Sequence, residues 1–305
     1  MGPGLTWGLV GVVAFSFTVP FTRIAVNDGL SPLFVGAGRA VVAAVLAAVC
    51  LVATGQRRPN SSQQRRLVVV AGGVVVGFPL LTSYALTQAP AGHGAVVIGL
   101  LPAATAAVAV LRGKERVAVR FWVWAAVGAL AVGCFAGLQN GGLGQLHWAD
   151  LLLVGAVVAA ALGYAEGGLL ARELGAWQTV SWALVLAAPL MLGLTLMSIA
   201  GGAPAASTSQ WLAFAYLACV SMFLGFFAWY RGLAEGGVAR VGQVQLSQPV
   251  LTLLWSALLL GEHIGPLTLV CALLVLGSVA VGQRTRIKTG AGVEKAGAAK
   301  TVRER

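Results

Sequence analysis

One acidic side chain lies inside an apolar stretch, where an ionised group is costly. Glu166 stands in LGYAEGGLLAR, six residues before Arg172, which places it about 9 Å from the basic end of a helix. Acids inside membrane helices usually mark a substrate or proton path, and a carboxyl buried beside a cavity is able to take up a proton. The alternative interpretation is a carboxylate near the membrane surface that pairs with Arg172.

Amide side chains interrupt a second apolar stretch, near the end of the chain. Gln245 and Gln248 share one helix face and precede Pro249, which removes a backbone hydrogen bond and predicts a kink. Because unpaired amides are expensive in lipid, this face predicts either substrate contacts or hydrogen bonds between helices. Trp255 lies on roughly the same face, so it predicts a cavity wall or packing against lipid. Further candidates for substrate contact are Thr18, Tyr84 and Tyr164.

The sequence lacks the motifs of the common enzyme classes. It contains no phosphate loop ending in GK[ST], no GxSxG and no HExxH. His93, His147 and His263 fall in predicted outer loops, where His93 is expected to be solvated. The four cysteines lie far apart, without the clustering that metal or redox sites need. We therefore expect no enzyme, no metal and no cofactor; an intramembrane enzyme acting on lipid is the disfavoured alternative.

The composition sets the environment of these residues. The 305 residues are 58% hydrophobic and 10% charged, with a mean hydropathy of +0.88, whereas soluble domains carry about 25% charged residues. About 20 apolar residues cross a bilayer as a helix. The sequence therefore predicts an all-α membrane protein with ten transmembrane helices, over about 5–26, 32–54, 67–88, 92–111, 120–138, 149–171, 176–199, 209–230, 239–260 and 265–283.

Basic residues are distributed unevenly between the predicted loops. With the N-terminus in the cytoplasm, eighteen of the 20 Lys and Arg residues fall on the inside and none falls in an outside loop. Arg23 and Arg39, the other two, lie within helices near their outer ends. Because cytoplasmic loops are enriched in Lys and Arg, we expect a multi-pass protein of the cytoplasmic (inner) membrane with both termini cytoplasmic. The net charge of +11 then needs no nucleic-acid partner.

A motif repeats at an offset of 147 residues. LLPAATAAVAVLRGKE and SQPVLTLLWSALLLGE each place a proline 13 positions before a glutamate, Glu115 in the first copy and Glu262 in the second. Five spans in each copy invert the second copy relative to the first, an arrangement typical of secondary transporters with a central site. The predicted units are residues 1–138, residues 139–283 and a basic cytoplasmic tail over 284–305.

Segments of both copies resemble the EamA family of the drug/metabolite transporter superfamily. They are LTWGLVGVVAFSFTVPFTRIAV, SPLFVGAGRAVVAAV, YALTQAPAGHGAVVIGLLPAATAAVAVLRGKERV and LAEGGVARVGQVQLSQPVLTLLWSALLLGEHIGPLTLVCALLVLGSVAV. The resemblance covers residues 5–283 and is most specific at Pro249, Gly261 and Glu262; the first copy has GKE where GE is usual. It implies ten helices around a central cavity and the transport of small metabolites, often amino acids.

Charged residues at helix ends suggest gates. Arg23 and Glu262 end their helices on the predicted outer side, and Arg39 is an equally good partner for Glu262. Glu115 and Arg172 are the corresponding candidates inside. Ion pairs that form on only one side bias an alternating-access equilibrium. The alternative is static pairing that only positions the helix ends.

These observations together predict a secondary transporter that exports a small metabolite across the lipid bilayer by alternating access. Amino acids are the favoured class of metabolite. Its partners are then a small-molecule substrate and the bilayer. The alternative within transport is a proton-coupled exporter of hydrophobic or cationic drugs, in which Glu166 is the coupling group.

Overall fold

The computed structural model describes residues 2–113, 119–139, 147–200, 202–237, 241–242, 244–281 and 284. Every regular element within these residues is helical, as predicted. The helices are α1 (Pro3–Ser16), α2 (Thr18–Val26), α3 (Pro32–Ala53), α4 (Ser61–Val70), α5 (Phe78–Gln88), α6 (Ala91–Ile98), α7 (Leu101–Gly113), α8 (Val119–Gln139), α9 (Trp148–Leu174), α10 (Ala176–Ile199), α11 (Thr208–Tyr216), α12 (Gly225–Gly236), α13 (Ser247–Leu260) and α14 (Pro266–Val281). Two π-helical segments, Ala71–Gly77 and Leu217–Leu224, join α4 to α5 and α11 to α12.

Several of these helices have the length and hydropathy of membrane spans. Seven helical stretches of the described chain qualify: Pro3–Val26, Pro32–Ala53, Ser61–Gln88, Ala91–Arg112, Trp148–Leu174, Ala176–Ile199 and Thr208–Gly236. The other three predicted runs coincide with shorter apolar helices, Trp122–Val132, Ser247–Leu260 and Pro266–Val281. The protein is therefore an all-helical multi-pass membrane protein, while the count of ten spans and the inversion of the second copy stay predictions.

The first span is interrupted between α1 and α2, and its neighbour uses the interruption. The ring of Pro20 has no N–H to donate to the carbonyl of Ser16, four residues earlier. Thr252 of α13 donates its hydroxyl to that carbonyl instead, at 2.9 Å. The indole of Trp255 donates to the Ser16 hydroxyl at 3.0 Å and stacks on Phe17. The break therefore fixes α13 against the first span.

Glycines bring the backbones of α1 and α12 into contact. Gly4 and Gly8 on α1 face Gly232 and Gly236 on α12, each pair with the four-residue spacing typical of close helix packing in membranes. A Cβ atom added at Gly232 would lie 2.6 Å from the backbone nitrogen of Gly8. One added at Gly4 would lie 2.5 Å from the backbone nitrogen of Gly236. The two helices therefore pack with no room for side chains between them.

We expect Gly232→Val to destabilise the protein by about 1–3 kcal/mol, because the new side chain forces α1 and α12 apart. The measurement is the thermal unfolding midpoint of the purified protein in detergent. Gly193→Val is the matched control, since Gly193 is an exposed glycine of α10 with no atom within 4 Å of an added Cβ. Equal midpoints for the two variants would contradict the close contact.

Candidate functional site

A small cavity lined by both apolar and polar side chains, called here the central cavity, lies inside the helix bundle. Its volume is about 20 Å³, which is enough for a single water molecule and little more. Side chains from both halves of the chain line it, among them Thr18, Arg39, Tyr164, Ser221, Phe226 and Gln248. The site is therefore contracted in this conformation, and a larger ligand requires the surrounding helices to separate.

Irregular backbone positions several of the lining residues. Thr18 opens α2 directly after the interruption of the first span, and its hydroxyl lies 2.8 Å from that of Ser221. Ser221 belongs to the second π-helical segment, and Val74, another lining residue, belongs to the first. Single π turns in helices are common at functional sites, because they change the direction in which side chains project. Both segments place residues at the central cavity.

Arg39, predicted to lie within its helix near the outer end and to act in a gate, lines the central cavity. It is the eighth residue of α3, about 10 Å from the start of that helix. Its side chain is 1% exposed. The guanidinium Nη2 donates to the Thr82 hydroxyl at 3.5 Å, and Nε has no partner among the described residues. The predicted pairing of Arg39 with Glu262 is therefore absent here, since Glu262 binds backbone amides elsewhere.

The two predicted amides lie at and beside the central cavity. Gln248 lines it, and Gln245 lines an adjoining space of about 10 Å³ together with Gln248 and Thr252. Both are buried, and among the described residues neither polar atom of Gln245 nor the Oε1 of Gln248 has a hydrogen-bond partner. Because α13 begins at Ser247, Pro249 occupies the first turn of a helix and does not kink a helix interior as predicted.

The remaining predicted contact residues divide into two groups. Thr18 and Tyr164 line the central cavity, with Tyr164 only 5% exposed. Tyr84 is 38% exposed on α5 and is not among the residues that line the central cavity, so the structure does not bring it to the other predicted contact residues. Trp255 is half-buried against Ser16 and Phe17 of the first span, which differs from both predicted roles, the cavity wall and the lipid contact.

An aromatic cluster adjoins the central cavity, formed by Phe15, Tyr164, Phe226, Trp229 and Tyr230. The Phe15 and Phe226 ring centroids are 4.9 Å apart, and those of Tyr164 and Trp229 are 5.5 Å apart. Tyr230 donates its hydroxyl to the carbonyl of Gly163 at 3.3 Å. Since Trp229 and Tyr230 are fully buried, the cluster is closely packed beside the central cavity.

Beyond the cluster, ion pairs join three helices; Arg66, Arg112, Glu166 and Glu173 are called here the basic-end network. Glu166 is 4% exposed and accepts from Nε of Arg66 on α4 and from Nε of Arg112 on α7, the latter at 2.8 Å. Arg66 also binds Glu173. The expected partner Arg172 is exposed, and Glu115 lies outside the described residues. Glu166 thus pairs with arginines from other helices and not with its neighbour in sequence.

A larger cavity opens at the opposite end of the bundle; it is called here the vestibule. It has a volume of about 540 Å³, within the usual range for ligand pockets. Its titratable lining residues are His93, His147, Asp150, Glu262 and His263. Asp150 and Glu166 stand sixteen residues apart on α9, about 24 Å along the helix. The vestibule and the basic-end network are therefore at opposite ends.

His93 is buried at the vestibule, so the prediction of a solvated loop histidine was wrong. It is 8% exposed because α6 begins at Ala91 and places it in the first helical turn. Its Nε2 lies 2.6 Å from an oxygen of Asp150, and its ring packs on Phe135 at 5.0 Å. The other Asp150 oxygen accepts from the backbone N–H of His147. The contact between His93 and Asp150 joins α6 to α9.

Arg23 and Glu262 bind helix ends in this conformation, and the predicted pair between them is not formed. The Nη1 of Arg23 donates to the carbonyls of Leu86 and Thr87 at the C-terminus of α5. The Glu262 carboxylate accepts from the N–H groups of Ala91 and Gly92 at the N-terminus of α6, each at 2.8 Å. Cations suit helix C-termini and anions suit N-termini. Arg23 therefore binds the end of α5 and Glu262 binds the start of α6, on the two sides of the corner between these helices.

The fold and the site define a multi-pass helical membrane protein with a small internal cavity lined by residues of both halves of the chain. Residues 2–136 and 147–281 each match the profile of the EamA-like transporter family. The chain belongs to this family, and the predicted resemblance is confirmed.

Two similar proteins extend this comparison. The chain is 45% identical over 277 residues to the "Uncharacterized transporter YdeK" of Bacillus subtilis (strain 168), a match that covers 91% of this chain and 96% of that protein. A protein of known crystal structure matches with a TM-score of 0.66 at 17% identity, over 93% of this chain and 98% of that chain. At this low identity the match shows a shared fold.

Proposed function

We propose that this transporter exports small polar metabolites by alternating access, and that amino acids are the favoured class of substrate. The observation that carries the proposal is the difference between the two ends of the bundle. The aromatic cluster and the paired charges of the basic-end network occupy one end, and the vestibule opens at the other. We take this as a conformation closed towards the basic end; an alternating-access transporter needs such a conformation and a second one with the opposite accessibility.

The orientation belongs to the same proposal. The basic-end network lies at the end that the distribution of Lys and Arg assigns to the cytoplasm. The contracted cavity, closed towards that side, then corresponds to a state after substrate release to the outside. No ATP-binding motif occurs in the sequence, so the driving force is the gradient of the substrate or of protons.

The central cavity is lined by apolar side chains together with polar and charged ones, and these polar and charged groups favour a polar substrate over a hydrophobic or cationic drug. Thr18, Tyr164, Ser221 and Gln248 offer hydroxyl and amide groups, and Arg39 adds a positive charge that repels cations. Glu166, the coupling residue of the drug-exporter alternative, is bound by two arginines. It therefore acts as the anion of a structural network and not as a free proton carrier.

The proposal is tested by counterflow in proteoliposomes, with labelled amino acids and one cationic dye at two pH values. We expect saturable amino-acid exchange and no dye movement. Ser221→Phe, which fills the central cavity, should abolish exchange, whereas Ser62→Phe on the exposed face of α4 should leave it intact. Dye movement driven by a pH gradient, without amino-acid exchange, would contradict the proposal and favour drug export.

A further inference from the structure

We propose that Arg39 is the anion-binding group of the central cavity and that the transported substrates carry a carboxylate group. This assignment rests on the proposed function, because it takes the central cavity as the substrate site. It adds the chemical class of the ligand and the group that recognises it.

The first observation is a buried charge that has no counter-charge among the described residues. Arg39 is 1% exposed; within the described part of the chain its Nε has no partner, and its guanidinium makes a long hydrogen bond of 3.5 Å to a threonine. That threonine, Thr82, already donates its hydroxyl to the Phe78 carbonyl. Buried charges in proteins are normally paired, because desolvation is costly. The Arg39 guanidinium therefore has hydrogen-bond donors that the described residues leave without a partner.

The second observation is that no acid of the described chain is available to Arg39. Asp150 binds His93, Glu166 and Glu173 bind arginines of the basic-end network, Glu235 binds Arg231, and Glu262 caps α6. The remaining described acid, Asp28, is exposed in the turn between α2 and α3. None of the described acids is therefore available to pair with Arg39, and we assign this role to the carboxylate of a ligand.

The third observation is that neutral acceptors share the cavity with Arg39. Gln248 lines it with an unpaired Oε1, and the hydroxyls of Thr18 and Ser221 pair with each other beside it. A guanidinium binds a carboxylate through two parallel hydrogen bonds, and amide or hydroxyl oxygens accept from an ammonium group. The cavity thus offers partners for both ends of an amino acid once the helices separate to admit it.

The experiment compares matched ligands on the purified full-length protein. L-leucine, L-leucinamide, 4-methylpentanoate and isopentylamine share a similar apolar part and differ in the carboxylate and amine. Their transport is measured by counterflow and their binding by thermal shift. We expect L-leucine and 4-methylpentanoate to stabilise the wild type, and the two compounds without a carboxylate to have no effect.

Two substitutions of Arg39 then separate recognition from structure. Arg39→Met should weaken carboxylate binding at least tenfold, the loss expected for a charged hydrogen bond, and should raise the unfolding midpoint because it removes an unpaired buried charge. Arg39→Lys should restore part of the binding. Arg172→Gln is the control for loss of one positive charge, since Arg172 is exposed, and it should change neither property.

The outcomes distinguish this inference from the proposed function. Carboxylate-dependent binding that Arg39→Met abolishes, without exchange of any amino acid, would support Arg39 as the anion site and contradict amino-acid export. Exchange of L-leucinamide as fast as L-leucine would overturn the inference and leave transport of amino-acid derivatives intact. Absence of both binding and exchange for all four compounds would overturn both. A lowered midpoint in Arg39→Met with unchanged selectivity would overturn the inference alone.

Discussion

Glu166→Gln is expected to open the basic end of the bundle and to expose the central cavity from that side. The Glu166 carboxylate is the common partner of Arg66 and Arg112, which come from α4 and α7. A glutamine at this position keeps one acceptor oxygen and loses the charge. Two guanidinium groups then face each other at the closed end without a shared anion, so the closed conformation is disfavoured.

The size of the Glu166→Gln effect follows from burial. Breaking a fully buried ion pair costs about 3–5 kcal/mol. The side chains of Arg66 and Arg112 are 22% and 56% exposed, so solvent screens part of the interaction and about 1–3 kcal/mol remains. Since 1.4 kcal/mol is about a factor of ten, we expect the equilibrium to shift by about tenfold to a hundredfold towards an open basic end.

Cysteine labelling measures this shift. In a background with Cys50, Cys134, Cys219 and Cys271 replaced by serine, Ser221→Cys places a single thiol at the central cavity. Labelling by a membrane-impermeant maleimide, added on the side of the basic end, should be about tenfold faster or more with Glu166→Gln than without it.

Glu173→Gln is the matched control for Glu166→Gln. Glu173 binds the same Arg66 but is 47% exposed, and exposed ion pairs contribute at most about 1 kcal/mol. Its labelling rate should therefore stay close to that of the parent. Equal rates in both variants would show that the basic-end network does not hold this end closed.

Hydropathy and repetition predicted the helices and the family because both are visible in the sequence without knowledge of how the helices pack. Each apolar run is recognised by its own composition, and the two copies by a shared spacing of proline and glutamate. Reasoning from single apolar runs also identified Thr18, Tyr164 and Gln248 as candidate contact residues, and the structure brings all three to one cavity. These residues stand out because each is a polar group in an apolar run.

The partners of the charged residues could not be predicted in this way. Glu166 pairs with Arg66, 100 residues earlier, and with Arg112, 54 residues earlier, whereas sequence proximity suggested Arg172. Such pairings depend on how the helices pack, which periodicity does not report. A signal for Arg39 was nevertheless present, since a cation about 10 Å inside an apolar helix is too deep for a simple end-of-helix role.

Helix termini explain a second failure, at Arg23 and Glu262. Both were expected to bind a side chain of opposite charge, yet each binds backbone groups at a helix end. The unpaired N–H and C=O groups of helix termini act as partial charges, and because they belong to the backbone, the residue types in the sequence do not reveal them. In the segment APAGHG, Pro90 was the available signal that a helix begins there, because it directly precedes Ala91, the first residue of α6.

We expect Glu262→Ala to lower the stability of the protein by about 2–4 kcal/mol. The carboxylate accepts two hydrogen bonds, from Ala91 and Gly92, and such bonds to a charged group contribute about 1.5–3 kcal/mol each. Glu262 is only half-buried, so solvent screens part of the interaction and the expected loss falls below the sum of the two bonds. Glu262→Gln retains an acceptor and should cost about half as much. The thermal unfolding midpoint in detergent measures both losses.

Charge reversal decides whether Glu262 binds a helix end or Arg23. A direct ion pair predicts that Glu262→Arg and Arg23→Glu compensate each other in the double variant. The structure predicts the reverse, because the arginine would then face the N-terminus of α6 and the glutamate would face the carbonyls that end α5. Both contacts are repulsive, so the double variant should be less stable than either single one. Recovery of stability and transport in the double variant would instead establish the direct pair.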